Sequence, residues 1–436
     1  MVFRGLPEPD LFTADLDSRI PRGSEAWWVR VVLSEMDLSS LHELYQDLGG
    51  VAYHPSQMLG VLLLGYMLGV TSSRDLEDRC LYDHRFIWVA RGLTPDDRTI
   101  GRFRRRIAPA MDGLFSAFVD LARAKGMLTL RRVAVDGTKL QSAAGGLAKW
   151  LRLADTADAA CGLELPECSD PEALLMPGRS GGFVGYNAQA AVDVDSGLVV
   201  ATSVADSVSD RAQLAPMLDR VREITGDVPQ EIVADRGYDS AEGLQALEDA
   251  QVQAYVAPQD AVSSFWTAVS PTEVVCPMGH APDLVSQTQE DGHRLVRLRV
   301  SACASCMFYG SCCSTRQGRS LSVPVGVDPV LRVLAAHRAR EPGHKTAMRD
   351  RMASVEPFFA QVKANRRMGR LKLRTKNGAA LEFALMALAR NLKVLQNLLE
   401  PPYYLFWALP RPTKLILRAA QAVLRGPGGL VAFGGG

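Results

Sequence analysis

Three carboxylates and one lysine in this sequence stand where they could hold divalent metal and act on an anion. Asp136 closes the β-branched, apolar run Arg132-Val133-Ala134-Val135, and Asp235 closes Glu231-Ile232-Val233-Ala234. Each acid therefore stands where a strand gives way, to Asp-Gly in one case and to Asp-Arg-Gly-Tyr in the other. Glu356 precedes Lys363 by seven residues, about two helical turns. That spacing puts acid and base on one face while Val355, Phe359 and Val362 hold the other against a core. Carboxylates at two strand ends and on a helix can hold two divalent cations, a donor set that suits Mg²⁺, with Mn²⁺ as a substitute. Behind Glu356 the chain turns basic: Lys363, Arg366, Arg367, Arg370, Lys372, Arg374 and Lys376 follow with no acidic residue before 382. Such a surface suits a polyanion.

Taken singly, an Asp at a strand end is ordinarily a turn or helix-cap residue, and only the joint pattern points to a site. Asp193, Asp195, Asp206 and Asp210 compete as metal ligands, but hairpin and helix-cap positions account for them. Pro357 disfavours α geometry at the residue before it, so Glu356 is expected at the start of its helix or at a kink.

The elements that must carry these groups change period near residue 128. Before it, residues 24–48, 55–68, 72–80 and 95–125 read as helices separated by glycine-containing breaks. Asp96 or Asp97 can cap a helix presenting Arg98, Arg102, Arg104, Arg105 and Arg106, which suits phosphates or a DNA groove; a merely solvated charged face is the plainer alternative. After 128, strands are expected at 131–136, 188–194, 198–204, 231–235 and 252–257, with helices at 210–225 and 240–250. That order predicts an α/β fold with a mixed sheet. A long amphipathic helix over 379–399 packs across it, and the glycine-rich end, 426–436, is loose.

Four segments then carry a resemblance to a known family. Val133-Ala134-Val135-Asp136-Gly137-Thr138-Lys139, Gly185-Tyr186-Asn187-Ala188-Gln189-Ala190-Ala191-Val192-Asp193, Val233-Ala234-Asp235-Arg236-Gly237-Tyr238 and Val355-Glu356-Pro357-Phe358-Phe359-Ala360-Gln361-Val362-Lys363 resemble, in order, the DDE transposases of bacterial insertion sequences. The resemblance implies an RNase H-like mixed-sheet catalytic core with Asp136, Asp235 and Glu356 as its Mg²⁺-binding triad and Lys363 beside them. It also implies Arg351 as a further basic residue before the Glu, placed to bind a DNA phosphate, and end recognition by the helical N-terminal region. Arg236 and Tyr238 lie close enough to Asp235 in sequence to orient it or touch DNA. The implied reaction is cleavage of double-stranded DNA at the element's ends, followed by attack of the freed 3′-OH on target DNA, by a homodimer. Two alternatives remain open at this point: a host nuclease with the same triad, and a catalytically silent, domesticated DNA-binding protein.

The chain has 436 residues, 49 basic against 48 acidic, and a net charge of +1, so charge is segregated rather than in excess. The sequence divides into an all-helical DNA-binding region (1–125), a first part of the core (126–259), a small, cysteine-rich insertion expected to be zinc-ribbon-like (260–325), a second part of the core (326–400) and a tail (401–436). No apolar run reaches membrane-spanning length and the start has no signal-peptide core, so a cytoplasmic, nucleoid-associated protein without a membrane partner is expected. Under reducing conditions clustered thiols point to metal rather than disulfides. Cys276, Cys303, Cys306 and Cys312 have the spacing of a structural Zn²⁺ site, with His280 or Cys313 able to replace one ligand. Cys161 and Cys168 read as free thiols, and Trp266 as a core residue or, less simply, a stacking platform for a base.

Overall fold

The computed structural model describes residues 2–4, 16–45, 51–144, 170–177, 182–256, 266–270, 273–290, 293–313, 315, 318–324, 328–365 and 368–399. Cys161, Cys168, Arg366, Arg367 and the tail from 400 lie outside them.

The first part is helical apart from a short parallel pair, β1 (Val2–Phe3) with β2 (Val51–Ala52). Two expected long helices are broken for local reasons. The 24–48 segment divides into Glu25–Glu35 and Ser39–Glu43, because Asp37 Oδ1 accepts from both the backbone N and the hydroxyl of Ser39 and starts a new turn. The 95–125 segment divides into Asp97–Arg106 and Met111–Ala124 around the turn Ala108–Ala110, where Pro109 has no N–H to continue the ladder. Helix Pro55–Leu68 is buried on nearly every side, as its unbroken apolar composition requires. Among the described residues no single helix is long and apolar enough to cross a membrane.

The central sheet is built from β3 (Arg132–Gln141), β4 (Leu174–Met176), β5 (Phe183–Asp193), β6 (Val199–Ala205), β7 (Glu231–Ala234) and β8 (Gln253–Val256). Its order is β6-β5-β3-β7-β8, with β4 prolonging the β6 edge of β5. The pairs β3–β7 and β7–β8 are parallel, whereas β5 runs antiparallel to both β3 and β6. Helices Leu214–Thr225 and Ala241–Asp249 make the crossovers into β7 and β8. An order of 3-2-1-4-5 with only the second strand reversed is the RNase H-like arrangement. Parallel strands covered by helices are buried on both faces, which is why Val133–Val135 and Ile232–Ala234 are continuous apolar runs with no exposure.

The cysteine-rich insertion has a small core of its own. The hairpin of β9 (Thr267–Ser270) and β10 (Glu273–Val275) and the antiparallel sheet of β11 (Leu284–Glu290), β12 (His293–Arg299) and β13 (Ser320–Pro324) enclose Trp266, Val274, Val300, Leu321 and Val323. Trp266 is fully buried there, so it is a core residue and not a stacking platform. Val330 and Val333 of helix Pro329–Arg338 join the same cluster.

Two helices complete the fold. Pro342–Ala360 packs on β3, β5, β7 and β8. Lys376–Leu399 lies between β6 and helix Pro55–Leu68, so the helical region and the sheet share one continuous apolar core. On this last helix the buried Asn391 caps a strand edge: its Nδ2 donates to Val199 O at 2.7 Å and its Oδ1 accepts from Val199 N at 2.8 Å.

Candidate active site

Parallel register brings the first two acids together. Ala134 pairs with Val233, so Asp136 and Asp235, each two residues further on, lie level on neighbouring strands. Beyond that point β7 ends and β3 continues to Gln141, leaving a notch beside the extended strand. A crevice of this kind, at the carboxyl ends of parallel strands, is where open α/β sheets bind ligands. Asp235 caps the short turn Arg236–Tyr238, its Oδ1 accepting from Gly237 N at 2.7 Å. Asp136 Oδ1 accepts from Gly137 N at 2.9 Å.

The remaining oxygen of each acid turns to the same cation. Arg351 Nη2 lies 2.8 Å from Asp136 Oδ2 and 3.6 Å from Asp235 Oδ2. Burial pushes the Asp136 carboxyl above its ordinary value, against the opposing pull of Arg351 and of the Gly137 N–H, and the neighbouring Asp235 adds to the rise. Arg351 was expected at a DNA phosphate; it is buried, and its guanidinium neutralises the two acids instead.

Glu356 is in the last part of helix Pro342–Ala360, not at its start, and Pro357 lies inside that helix. The proline is tolerated because it and Ala353, whose carbonyl it leaves without a helical donor, are both on the solvent side. Glu356 is exposed, and among the described residues its side chain makes no ion pair. No three His, Cys, Asp or Glu side chains among the described residues converge closely enough to hold a metal ion. The helix ends in a π turn, Gln361–Asn365, which carries Lys363. Partial burial, and then the ammonium of Lys139, push the Lys363 pKa down, and Asp136 opposes them.

A buried polar layer lies beside the acids, and the sequence reading did not assign it. Asp210 Oδ1 accepts from Lys139 Nζ at 3.0 Å, Asn187 Nδ2 at 2.8 Å and Gln189 Nε2 at 2.7 Å. Tyr238 OH donates to Gln189 Oε1, and Gln189 Nε2 also donates to Asn187 Oδ1 at 2.8 Å. Asp210 is thus not a helix cap, and the following helix is capped at Gln213. Tyr238 was expected to orient Asp235 or touch DNA; it has no exposure, and burial, with Asp210, Asp136 and Asp235 nearby, holds its phenol well above the usual value. The signal was present in β5, where Asn187 and Gln189 are two apart in an otherwise apolar strand and so share one face.

Of the other expected contacts, Arg98, Arg102, Arg105 and Arg106 are exposed on helix Asp97–Arg106, whose cap Asp96 accepts from Thr99 N at 2.6 Å. Arg104 is a correction: it is 3% exposed, donates to Thr71 O at 2.6 Å and faces the Tyr66 ring, because it falls on the same face as Ile100, Phe103 and Ile107. Arg236 and Arg370 are exposed, and Arg370 Nη2 donates to Ala143 O at 3.3 Å. In the insertion Cys276, His280, Cys303, Cys306, Cys312 and Cys313 line one small pocket.

An RNase H-like sheet with two carboxylates level at paired strand ends defines a phosphoryl-transfer core. The comparisons with known proteins name the family. Residues 176–392 match the family model described as Transposase DDE domain, and residues 14–106 match that of the Transposase domain (DUF772). The chain belongs to the DDE transposases. Asp235, Glu356 and Lys363 lie within the first match, and Asp136 lies before it. Among solved structures, the piggyBac transposase synaptic complex with hairpin DNA, determined by cryo-EM, covers 92% of this chain and 78% of its own, at 11% identity and a TM-score of 0.34; no residue is carried across from it. No curated protein matches.

DDE transposases use divalent metal. The residues present fit such an ion in type: the donors are carboxylate oxygens, and Asp136 Oδ2 and Asp235 Oδ2 already face one positive centre, the Arg351 nitrogen.

Proposed function

We infer that this transposase cleaves DNA at the ends of its own element and joins the freed 3′-OH to target DNA, with Asp136, Asp235 and Glu356 as the acids that hold Mg²⁺. Bound there, the metal supplies an activated water and stabilises the leaving 3′ oxygen. The observation that carries the reading is the convergence of the two strand-end carboxylates on one cationic atom at the sheet's notch. For the third acid to join them, the Glu356 side chain must turn inward and Arg351 must give up its place between the aspartates. Once released, the guanidinium is free to meet the scissile strand. Lys363, at the π turn, neutralises a flanking phosphate, and the exposed Arg98, Arg102, Arg105 and Arg106 supply sequence-independent attraction, with Arg236 and Arg370 at the notch. A homodimer on DNA brings two ends together.

The insertion is read as a zinc module. Six side chains of ligand type line one pocket, which supports it, although no three of them yet converge on one point; Cys276, Cys303, Cys306 and Cys312 are the favoured set. Zinc there would staple a segment whose own core is small.

The test is cleavage and joining of labelled duplex carrying the gene's flanking sequence, with Mg²⁺, by wild type, Asp136→Asn, Asp235→Ala and Glu356→Ala. Joined products from wild type and none from the three variants are expected. Cleavage without joining would point to a nuclease with the same acids, and cleavage unchanged in the variants would overturn the assignment of the triad.

A further inference from the structure

Lys139 follows Asp136 by three residues on the same strand, in the part of β3 that runs past the end of β7 and forms one wall of the notch. Its neighbour across β5 is Asn187. Its ammonium donates to Asp210 Oδ1 at 3.0 Å, and that oxygen is held in turn by Asn187 Nδ2 at 2.8 Å and Gln189 Nε2 at 2.7 Å. Three donors on one oxygen fix the acid firmly, and a fixed acid fixes the lysine. Gly137 makes room for the arrangement: a Cβ there would stand 2.7 Å from Asp210 Oδ1 and 2.5 Å from Gln189 Nε2.

The lysine is oriented but not used up. An ammonium carries three donors, and only the one to Asp210 is engaged among the described residues. The side chain keeps 21% of its surface accessible. Two residues on, the basic loop is stitched to the same strand: Gln141 N donates to Gly369 O at 2.8 Å and Leu371 N to Gln141 O at 2.8 Å. Lys363 packs on that loop, its Cγ 3.8 Å from where a Gly369 Cβ would be. Lys139 leaves β3 on the Gly137 face, opposite Asp136, but the Lys363 charge feels both Lys139 and Asp136; Lys139, Lys363 and Arg370 therefore form a basic strip along the part of β3 that runs on past the acids, a surface suited to a DNA backbone.

We propose that Lys139 contacts a backbone phosphate of the DNA strand held at the active site, and that Asp210, fixed by Asn187 and Gln189, is the positioning residue that aims it. The proposal rests on the DNA-cleaving function inferred above. The plainer view is an ion pair that only braces β3. The two differ in salt dependence: a lysine that neutralises a phosphate releases counterion on binding, and a brace does not.

The experiment measures binding of the full-length protein to duplex carrying the flanking sequence, across about 50 to 200 mM KCl, for wild type, Lys139→Gln, Lys139→Arg and Asp210→Asn. Glutamine retains a donor for Asp210 and loses the charge. In Lys139→Gln the slope of log K against log[salt] should flatten by about 0.9, and Lys139→Arg should restore it. Asp210→Asn keeps the lysine's charge and releases its aim, so its slope should stay near wild type while the single-turnover cleavage rate falls about tenfold or more with affinity little changed. An unchanged slope in Lys139→Gln, whether or not cleavage suffers, would overturn the proposal in favour of a brace. Should Lys139→Gln fail to fold, Lys139→Met and uncharged methylphosphonates placed singly around the cut give the same reading: a slope loss at one flanking position that is seen with wild type and Lys139→Arg and is absent in Lys139→Met supports the contact, and no such position overturns it. Wild-type protein that binds no DNA at all would remove the functional reading itself, a result separable from failure of the lysine.

Discussion

Glu382 offers the sharpest test of how the helical region is tied to the catalytic sheet. Its carboxylate is 1% exposed on helix Lys376–Leu399, where Oε2 accepts from Lys372 N at 2.5 Å and Leu373 N at 2.9 Å, and Oε1 from Tyr66 OH at 3.1 Å. One side chain thus holds both the basic loop and helix Pro55–Leu68, and Tyr66 in turn faces the buried Arg104. Glu382→Ala leaves two backbone N–H groups without this acceptor in a dry place and takes one acceptor from the Tyr66 hydroxyl. At about 1–3 kcal/mol for each N–H, less what water entering the gap recovers, a loss of roughly 2–5 kcal/mol is expected. That is a large share of the roughly 5–15 kcal/mol typical of a native domain. Glu382→Gln is the informative partner, because the amide oxygen can still accept from the loop while its NH₂ faces Tyr66. Burial raises the Glu382 pKa, against the opposing pull of the loop N–H groups, so the charged form is disfavoured in the folded state. The associated stability is fully present below the unfolded-state pKa and is lost as pH rises through the raised folded value. Glu382→Gln should therefore match wild type in acid and exceed it at alkaline pH. Urea midpoints for both variants between about pH 4 and 8.5 would measure this. A Gln variant less stable than wild type across the whole range would refute the argument, and show that the ionised carboxylate is what holds the junction.

Other expectations follow from single residues. Gly137→Ala puts a Cβ within 2.5 Å of Gln189 Nε2 and 3.1 Å of Tyr238 OH; a loss of about 1–3 kcal/mol is expected from overpacking, visible in thermal unfolding, with slower cleavage because Asp136 is the next residue. Arg104→Ala and Arg102→Ala should part ways: the first lowers stability and leaves the salt slope of DNA binding near wild type, whereas the second leaves stability within about 0.5 kcal/mol and flattens the slope by about 0.9. Metal analysis of protein purified without chelator should find about one zinc per chain, and Cys303→Ser should lose it and make the insertion the first segment cut by protease; a full-length protein with no zinc and an intact insertion would remove the zinc reading. Asp136→Asn should raise the thermal midpoint of metal-free protein at neutral pH, because the raised pKa of Asp136 marks its ionised form as unfavourable once folded.

The sheet and the acids on it were readable because the signals are local. A β-branched run ending in Asp-Gly specifies a strand and its last polar side chain with no knowledge of the rest of the chain, and β3 and β7 followed that rule. Arg104 was readable too, since helical spacing alone assigns it to the face of Ile100, Phe103 and Ile107; its charge outweighed its position in the expectation. The partners of Arg351, Asp210 and Tyr238 could not be read this way. Asp210 meets Lys139 across 71 residues, and Arg351 meets Asp136 across more than two hundred. Such pairings depend on which strand lies beside which, a property of the assembled sheet that no window of sequence contains. The position of Glu356 well inside its helix was missed for a different reason: the rule against α geometry before proline is a preference, and an exposed helix side lets water take the carbonyl that proline leaves unpaired.

Helix Lys376–Leu399 also has a bearing on how the protein is made. Synthesis proceeds from the N-terminus, and this helix, which fills the space between β6 and Pro55–Leu68, is the last described element to emerge. Until it arrives, the apolar sides of both neighbours lack their cover, and the backbone edge at Val199 lacks Asn391. A nascent chain must therefore carry a hydrophobic seam between its first and middle parts through most of its translation. A message cut short before codon 376 would yield a fragment that has both strand-end aspartates yet aggregates, so a broken copy of the gene should leave insoluble debris rather than a free-running nuclease.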